Sequence, residues 1–186
     1  MSNRAEVYDS LRGMVKDPNI VLLGFMGTGK STVGEIVAAR LGRPFVDLDA
    51  KIVEAAGKSI AEIFVENGEE GFRRWEGRVS RACTCTEGQV LATGGGIVLD
   101  PENVRALSRS GILICLEASI ESIVERVSKD GGRPLLNTKD RWQRIRDLLE
   151  ERRPLYEALP YHINTEGMSS EAVADRVIEI SSSQAE

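Results

Sequence analysis

The chain has 186 residues, of which 41% are hydrophobic and 28% charged, and its formal net charge at pH 7 is −5. This length fits one domain with a buried core, and the charge excludes the basic surface that nucleic-acid-binding proteins carry. No apolar run is long enough to span a bilayer, and the polar N-terminus is unlike a signal peptide. We therefore expect a cytoplasmic protein without membrane or nucleic-acid partners, whose three cysteines are reduced and lack zinc-binding spacing.

Strand-like and helical patterns alternate along the whole chain. Strands are predicted near residues 20–24, 45–48, 89–93, 111–116 and 161–164. Helices are predicted over residues 30–42, 50–56, 59–86, 101–109, 119–128, 140–159 and 169–181. This alternation predicts an α/β fold in which helices cover both faces of a parallel sheet. Ligands of such sheets bind at the carboxyl ends of the strands.

A phosphate-binding loop follows the first predicted strand. Residues 24–31 read Gly-Phe-Met-Gly-Thr-Gly-Lys-Ser, which fits the pattern of a glycine, four residues and then Gly-Lys-Ser/Thr. The glycines let backbone N–H groups surround a phosphate, and the next helix directs its positive end at the same anion. In this pattern Lys30 contacts the terminal phosphates, and the Ser31 hydroxyl binds magnesium.

Two carboxylates end the second strand. Asp47 and Asp49 alternate along it, so we expect both to face one cleft, one near magnesium and the other near an alcohol acceptor. The alternative is a polar strand end at which Asp49 caps the next helix.

Further along, Arg73 and Glu76 are spaced to pair on one helix face, which would fix the guanidinium for binding a carboxylate. The alternative is an exposed charge pair of little energetic value.

Three later segments complete the pattern. Residues 94–96 are consecutive glycines after an apolar run, so a ligand could touch the backbone there. Residues 128–137 join two helices through paired glycines and Arg133-Pro134, which predicts either a mobile flap carrying an arginine or a solvated loop. Pro154 should kink a helix or start a new one, and either effect could direct Arg152 toward the cleft. The alternative is that Arg152 belongs to a surface charge cluster. The single histidine, His162, is not expected to be catalytic.

Taken in order, these motifs resemble the shikimate kinase family over about residues 19–180. The resemblance rests on Asp-Leu-Asp at 47–49, Phe-Arg-Arg at 72–74, Thr-Gly-Gly-Gly at 93–96, Arg-Pro-Leu-Leu at 133–136 and Arg-x-Pro-Leu-Tyr at 152–156. It implies a three-layer P-loop kinase fold with a five-stranded parallel sheet, similar to nucleoside monophosphate kinases. It also implies magnesium-dependent transfer of the ATP γ-phosphoryl group to the 3-hydroxyl of shikimate, in the pathway to chorismate and the aromatic amino acids.

The same resemblance implies a role for each site residue. ATP would be bound by Gly27, Thr28, Gly29, Lys30, Ser31, Thr32, Arg126 and Arg133, with Arg126 packing on adenine. Shikimate would be bound by Asp49, Arg73, Gly95, Gly96 and Arg152, with Glu76 orienting Arg73. Magnesium would be held by Ser31 and Asp47. Lys30, Asp49 and Arg133 would act in catalysis, and the segment after the last strand, 165–169, departs from the family pattern and receives no assignment.

The resemblance also predicts how the chain is organised. Residues 1–18 would form an N-terminal extension, and residues 19–182 a single kinase domain with a mobile lid near 128–140. Nothing in the sequence requires more than a monomer. Two other functions remain open: a kinase for another small molecule, such as gluconate or a nucleotide, and a nucleotide-binding module without catalytic activity.

Overall fold

Five strands form one parallel sheet at the centre of the protein. The computed structural model describes residues 8, 15–128 and 140–184, with the backbone alone at 128 and 141. The strands are β1 (Asn19–Leu23), β2 (Phe45–Asp47), β3 (Val90–Ala92), β4 (Gly111–Glu117) and β5 (Tyr161–Asn164). Their order across the sheet is β2-β3-β1-β4-β5, and every neighbouring pair is parallel.

Helices connect the strands. They are α1 (Lys30–Leu41), α2 (Leu48–Ala56), α3 (Ile60–Cys83), α4 (Pro101–Ser110), α5 (Ile120–Ser128), α6 (Arg141–Glu157) and α7 (Ser170–Ser183), with a short 3-10 helix at Ile97–Leu99. The predicted fold class, an α/β protein with a five-stranded parallel sheet, is confirmed.

The strand sequences explain the three layers. The residues of β1 are buried and alternate between the two faces of the sheet. Val21 and Leu23 pack on one side with residues of α4, α5 and α6, whereas Ile20 and Leu22 pack on the other side with α1 and α7. A smaller apolar cluster, built around Leu48 and Phe72, joins α2 to α3. Continuous apolar strands are what a sheet buried on both faces requires.

Local capping and backbone effects shift three of the predicted boundaries. Helix α2 begins at Leu48, directly after β2, so Asp49 lies in a helix and not in a strand. Helix α3 is broken at Gly68, whose φ of 66° and ψ of −172° are not helical. Helix α6 runs through Pro154, so the predicted start of a new helix there is wrong.

Two predicted segments lie wholly or partly outside the described residues. The lid near 128–140, with Arg133, is described only at its two ends. Of the N-terminal extension, only residues 8 and 15–18 are described. Within the described ranges, none of the helices combines the length and the apolar character needed to cross a membrane.

Candidate active site

The phosphate-binding loop joins β1 to α1 at the carboxyl edge of the sheet. Gly27 and Gly29 adopt φ values of 78° and 93°, a region that side chains rarely allow. Among the described residues no side chain caps the start of α1, so its first N–H groups are available to an anion. The Lys30 ammonium is buried and donates to the carbonyl oxygens of Gly24 and Phe25, each over 2.8 Å. Lys30 is thus held against the phosphate-binding loop, next to the place where it is predicted to contact the phosphates.

Asp47 connects the loop to the second strand. Its Oδ2 accepts a hydrogen bond from the Ser31 hydroxyl over 2.7 Å, and its Oδ1 accepts the backbone N–H groups of Asp49 and Ala50. Asp47 is therefore the N-cap of α2, a role that the sequence interpretation had offered to Asp49 as the alternative. The argument that both carboxylates alternate along one strand is wrong, because the helix begins between them.

The two aspartates nevertheless face the same cavity. Its volume is about 320 Å³. The residues that line it come from the phosphate-binding loop and the start of α1, from both aspartates, from the glycine turn (residues 94–96) with the preceding Thr93, and from α5: Gly27, Gly29, Lys30, Ser31, Thr32, Asp47, Asp49, Thr93, Gly94, Gly95 and Arg126. A hydroxyl and a carboxylate in contact offer the hard oxygen ligands that magnesium prefers, so Ser31 and Asp47 fit the predicted metal site.

Arg73 is held by a buried carboxylate. Its Nη1 donates to Glu76 Oε2 over 2.7 Å, and the Glu76 side chain is only 2% exposed. The predicted pairing is thus present, and it is not an exposed charge pair. Burial raises the pKa of Glu76, although the guanidinium of Arg73 opposes that effect. Burial acts to lower the pKa of Arg73, but Glu76 and Glu69 outweigh it, so that pKa stands above its ordinary value.

Gly94 and Gly96 make room for the charged side chains. A Cβ atom at Gly94 would lie 2.9 Å from both Asp49 Oδ1 and Glu76 Oε1. A Cβ atom at Gly96 would overlap the guanidinium of Arg73. Side chains at these positions would push Asp49, Glu76 and Arg73 out of place, so the glycine turn sets how closely they converge.

Arg152 reaches the same turn from α6. It is 2% exposed, its guanidinium lies 6.0 Å from the centre of the Phe25 ring, and its Nη1 donates weakly to the Gly95 carbonyl over 3.4 Å. The interpretation of Arg152 as part of a surface charge cluster is therefore wrong. The hydroxyl of Tyr156 donates to the same carbonyl. Burial raises the pKa of Tyr156, so this hydroxyl stays protonated and remains a donor.

A second cavity lies beside the phosphate-binding loop. Arg126 donates from Nη1 to the Gly27 carbonyl over 3.1 Å and lines this cavity, whose volume is about 200 Å³. Thr32 lines it as well, and Thr165 and Met168 close it from the segment after β5. The sequence interpretation assigned neither of these last two residues, nor Tyr156. Their signal was weak, since Tyr156 formed part of a motif but the segment at 165–169 had no recognisable pattern.

The remaining polar cluster has a structural explanation. His162 Nδ1 lies 2.7 Å from Glu117 Oε1, and Nε2 lies 2.9 Å from the Leu159 carbonyl oxygen, so both ring nitrogens have partners. Cys115 is buried nearby, and burial raises the pKa of its thiol to about 12. Although these three residues offer ligand-type atoms within 4.8 Å of one another, the imidazole already serves a cross-strand contact.

This fold and this site together define a phosphotransferase of the P-loop kinase class. Residues 26–181 match the family model of shikimate kinase. A shikimate kinase of Thermodesulfovibrio yellowstonii is 47% identical over 160 residues, which cover 86% of this chain and 92% of the relative. One of Caldanaerobacter subterraneus is 46% identical over 160 residues, covering 86% and 94%. The chain belongs to the shikimate kinase family, as the sequence motifs predicted.

Solved structures agree with this membership. The shikimate kinase of Acinetobacter baumannii in complex with shikimate is 37% identical, with a TM-score of 0.86 over 95% of this chain and 97% of that one. The enzyme of Aquifex aeolicus is 32% identical, with a TM-score of 0.76 over 87% and 94%. A gluconokinase of Sinorhizobium meliloti is only 16% identical, with a TM-score of 0.54 over 91% and 96%, and so shares the fold alone.

Proposed function

We propose that this protein is a shikimate kinase, which transfers the γ-phosphoryl group of ATP to the 3-hydroxyl of shikimate. The observation that carries the proposal is the position of Arg73. Its guanidinium is fixed by the buried Glu76 and lies against Gly96, one end of the glycine turn. The other end of that turn, Gly94, lies against Asp49 and lines the cavity of the phosphate-binding loop. A cation for a ring carboxylate and a carboxylate for ring hydroxyls therefore flank the place where phosphates bind.

The chain divides the chemistry among its residues. The loop N–H groups and Lys30 bind the phosphates of ATP, and Arg73 with Arg152 binds the substrate carboxylate. Asp49 accepts hydrogen bonds from the ring hydroxyls and is placed to receive the proton of the attacking hydroxyl. Magnesium, when bound at Ser31 and Asp47, neutralises charge on the phosphates. These groups position the reactants and stabilise the charge of the transition state.

Other assignments extend this proposal. Arg126, with the cavity of Thr165 and Met168, is proposed to contact adenine, because that cavity shares lining residues with the cavity of the phosphate-binding loop but none with the glycine turn. Arg133 is proposed to reach the phosphates from a lid near 128–140, on its sequence motif alone. Residues 19–182 are proposed to form one kinase domain, monomeric, after an extension at 1–18. Free thiols at Cys83, Cys85 and Cys115 support a cytoplasmic location.

A coupled assay of ADP release tests the function. We expect turnover that requires both shikimate and magnesium, with little ADP formed from ATP alone. Gluconate is the informative competitor, because it also carries a carboxylate and is the substrate of a kinase with this fold. Turnover of gluconate in preference to shikimate would assign the protein to the alternative sugar-acid kinase. A folded protein that binds ATP but turns over neither compound would be a nucleotide-binding module.

A further inference from the structure

Arg73 is paired with two carboxylates of different character. Its Nη1 donates to Glu76 Oε2 over 2.7 Å, and its Nη2 donates to Glu69 Oε1 over 2.9 Å. The Glu76 side chain is 2% exposed, whereas that of Glu69 is 47% exposed. Glu76 is therefore a fixed part of the interior, while Glu69 reaches the guanidinium from the solvent side.

Glu69 occupies one of the donors that a ligand would use. Within the described part of the chain, Arg73 Nε is buried without a hydrogen-bond partner, and Nη1 is directed to the buried Glu76. Nη1 and Nη2 both face the glycine turn, because a Cβ atom at Gly96 would overlap both. A substrate carboxylate that binds Arg73 there would compete at Nη2 with Glu69, the more exposed of the two carboxylates that already accept from the guanidinium.

The balance of charge makes it unfavourable for Glu69 and a substrate carboxylate to bind Arg73 at the same time. The guanidinium groups of Arg73 and Arg152 share this region with the carboxylates of Glu69, Glu76 and Asp49, and both Arg152 and Asp49 act on the pKa of Glu76. With Lys30, which lines the same cavity as Asp49, three cations face these three carboxylates, so a further carboxylate would leave an excess of negative charge unless one of the carboxylates moved away. Of the three, Glu69 has the half-exposed side chain that can turn into solvent.

The backbone still stabilises the negative charge of Glu69 after its contact with Arg73 is broken. The break at Gly68 makes Glu69 the first residue of the helical segment 69–83. A carboxylate in the first turn of a helix is stabilised by the helix dipole, with or without a nearby arginine. When Glu69 releases Arg73, the protein loses an exposed ion pair, which contributes little to stability. The carboxylate then remains at the start of a helix, where a negative charge is still favourable.

We propose that Glu69 is a positioning residue that substrate displaces: it holds Arg73 Nη2 in the substrate-free enzyme and yields this donor to the substrate carboxylate. This inference rests on the proposed function. It assigns Glu69 a role opposite to that of Glu76, which keeps its contact throughout. The exchange is complete before phosphoryl transfer, so Glu69 affects the binding of the acceptor and not the chemical step.

The test compares Glu69→Gln with a matched control, Glu70→Gln. Glu70 forms the same type of ion pair, with Arg74 over 2.7 Å, and its side chain is 88% exposed. The two substitutions change the net charge equally at adjacent positions. At low salt, Glu69→Gln should lower KM and Kd for shikimate about two- to fivefold, as loss of one competing surface ion pair allows, with kcat unchanged. Glu70→Gln should leave all three values at the wild-type level.

A neutral ligand provides a second readout. The methyl ester of shikimate cannot exchange with a carboxylate, so its affinity should not differ between the wild type and Glu69→Gln. Weaker binding of shikimate by Glu69→Gln, an equal gain in Glu70→Gln, or an equal gain for the ester would each overturn the inference. Failure of the wild type to bind shikimate at all would instead overturn the proposed function.

Discussion

The Ser31 hydroxyl donates a hydrogen bond to Asp47 Oδ2 over 2.7 Å, and this contact ties the first turn of α1 to the end of β2. The same aspartate caps α2 through its other oxygen. One side chain thus serves the local fold and the proposed metal site together, and different substitutions should separate the two roles.

Asp47→Asn and Asp47→Ala should differ in stability but agree in magnesium dependence. Asparagine caps a helix about as well as aspartate, whereas alanine loses about 1 kcal/mol at an N-cap. Both substitutions remove the charge proposed to act near magnesium, so both should raise the magnesium concentration needed for half-maximal activity. Urea unfolding and a magnesium titration of ADP release measure these effects. A normal magnesium requirement in Asp47→Asn would exclude the charge from metal binding.

Gly96→Ala should damage the acceptor site without affecting the nucleotide. The added Cβ atom would overlap the guanidinium of Arg73, which must then move from the glycine turn. We expect KM for shikimate to rise by about tenfold or more, as the loss of one charge-assisted hydrogen bond allows, with KM for ATP unchanged. Steady-state kinetics with each substrate varied in turn measure both constants.

Gly57→Ala is the control for that substitution. Gly57 follows the last residue of α2 with a φ of 67°, and a Cβ atom there would have no neighbour within 4 Å in the part of the chain that the structure describes. Its replacement should cost about 1 kcal/mol of stability through backbone strain alone and leave KM unchanged. An equal rise in KM for shikimate in both variants would mean that general destabilisation, and not the position of Arg73, sets the affinity.

Tyr156→Phe should loosen the glycine turn. The hydroxyl of Tyr156 donates to the Gly95 carbonyl, whose one other donor among the described residues is Arg152, over a long contact. Tyr156 is buried, so removal of its hydroxyl leaves the Gly95 carbonyl without a good hydrogen-bond donor. We therefore expect a loss of about 1–3 kcal/mol in the free energy of unfolding. KM for shikimate should rise as well. Unaltered stability and KM would show that the hydroxyl does not support the turn.

The raised pKa of Glu76 predicts a pH dependence of stability. Because burial raises this pKa, the folded protein holds the proton more tightly than the unfolded chain does. The resulting contribution to stability is complete below the unfolded pKa and is lost as the pH rises through the folded one. The variant Glu76→Gln cannot titrate there. The free energy of unfolding of the wild type, relative to this variant, should therefore fall as the pH rises above about 4, the ordinary pKa of a glutamate.

Chemical denaturation at several pH values tests this dependence, and it needs no substrate. A difference between the two proteins that stays constant, or that changes in favour of the wild type with rising pH, would contradict the inferred direction.

Local patterns predicted the fold well because the strands are short apolar runs buried on both faces. The predicted and observed strands agree closely, as Phe45–Asp47 and Gly111–Glu117 illustrate. Errors arose where capping or backbone conformation decides the boundary. The cap at Asp47 starts α2 earlier than periodicity indicates, and Gly68 interrupts a helix whose side-chain pattern continues. Neither effect changes the spacing of apolar residues.

The motifs predicted which residues form the site, whereas the burial of these residues depends on tertiary packing that the motifs do not reveal. The pairing of Arg73 with Glu76 follows from helical spacing, but the burial of that pair depends on contacts between distant elements. The same holds for Arg152, whose local sequence is typical of a surface. Helix α6 also continues through Pro154, although proline disfavours a helix interior, so of the two predicted effects of this residue the start of a new helix is excluded.

The most direct measurement is a calorimetric titration of shikimate into the wild type, Arg73→Ala and Arg74→Ala. The two arginines are adjacent on α3, but Arg73 pairs with the buried Glu76, whereas Arg74 pairs with the exposed Glu70. We predict that Arg73→Ala weakens shikimate binding at least about tenfold while ADP binds normally, and that Arg74→Ala matches the wild type. Equal loss of affinity for shikimate and ADP in Arg73→Ala, or unaltered shikimate binding by that variant, would contradict the proposed site.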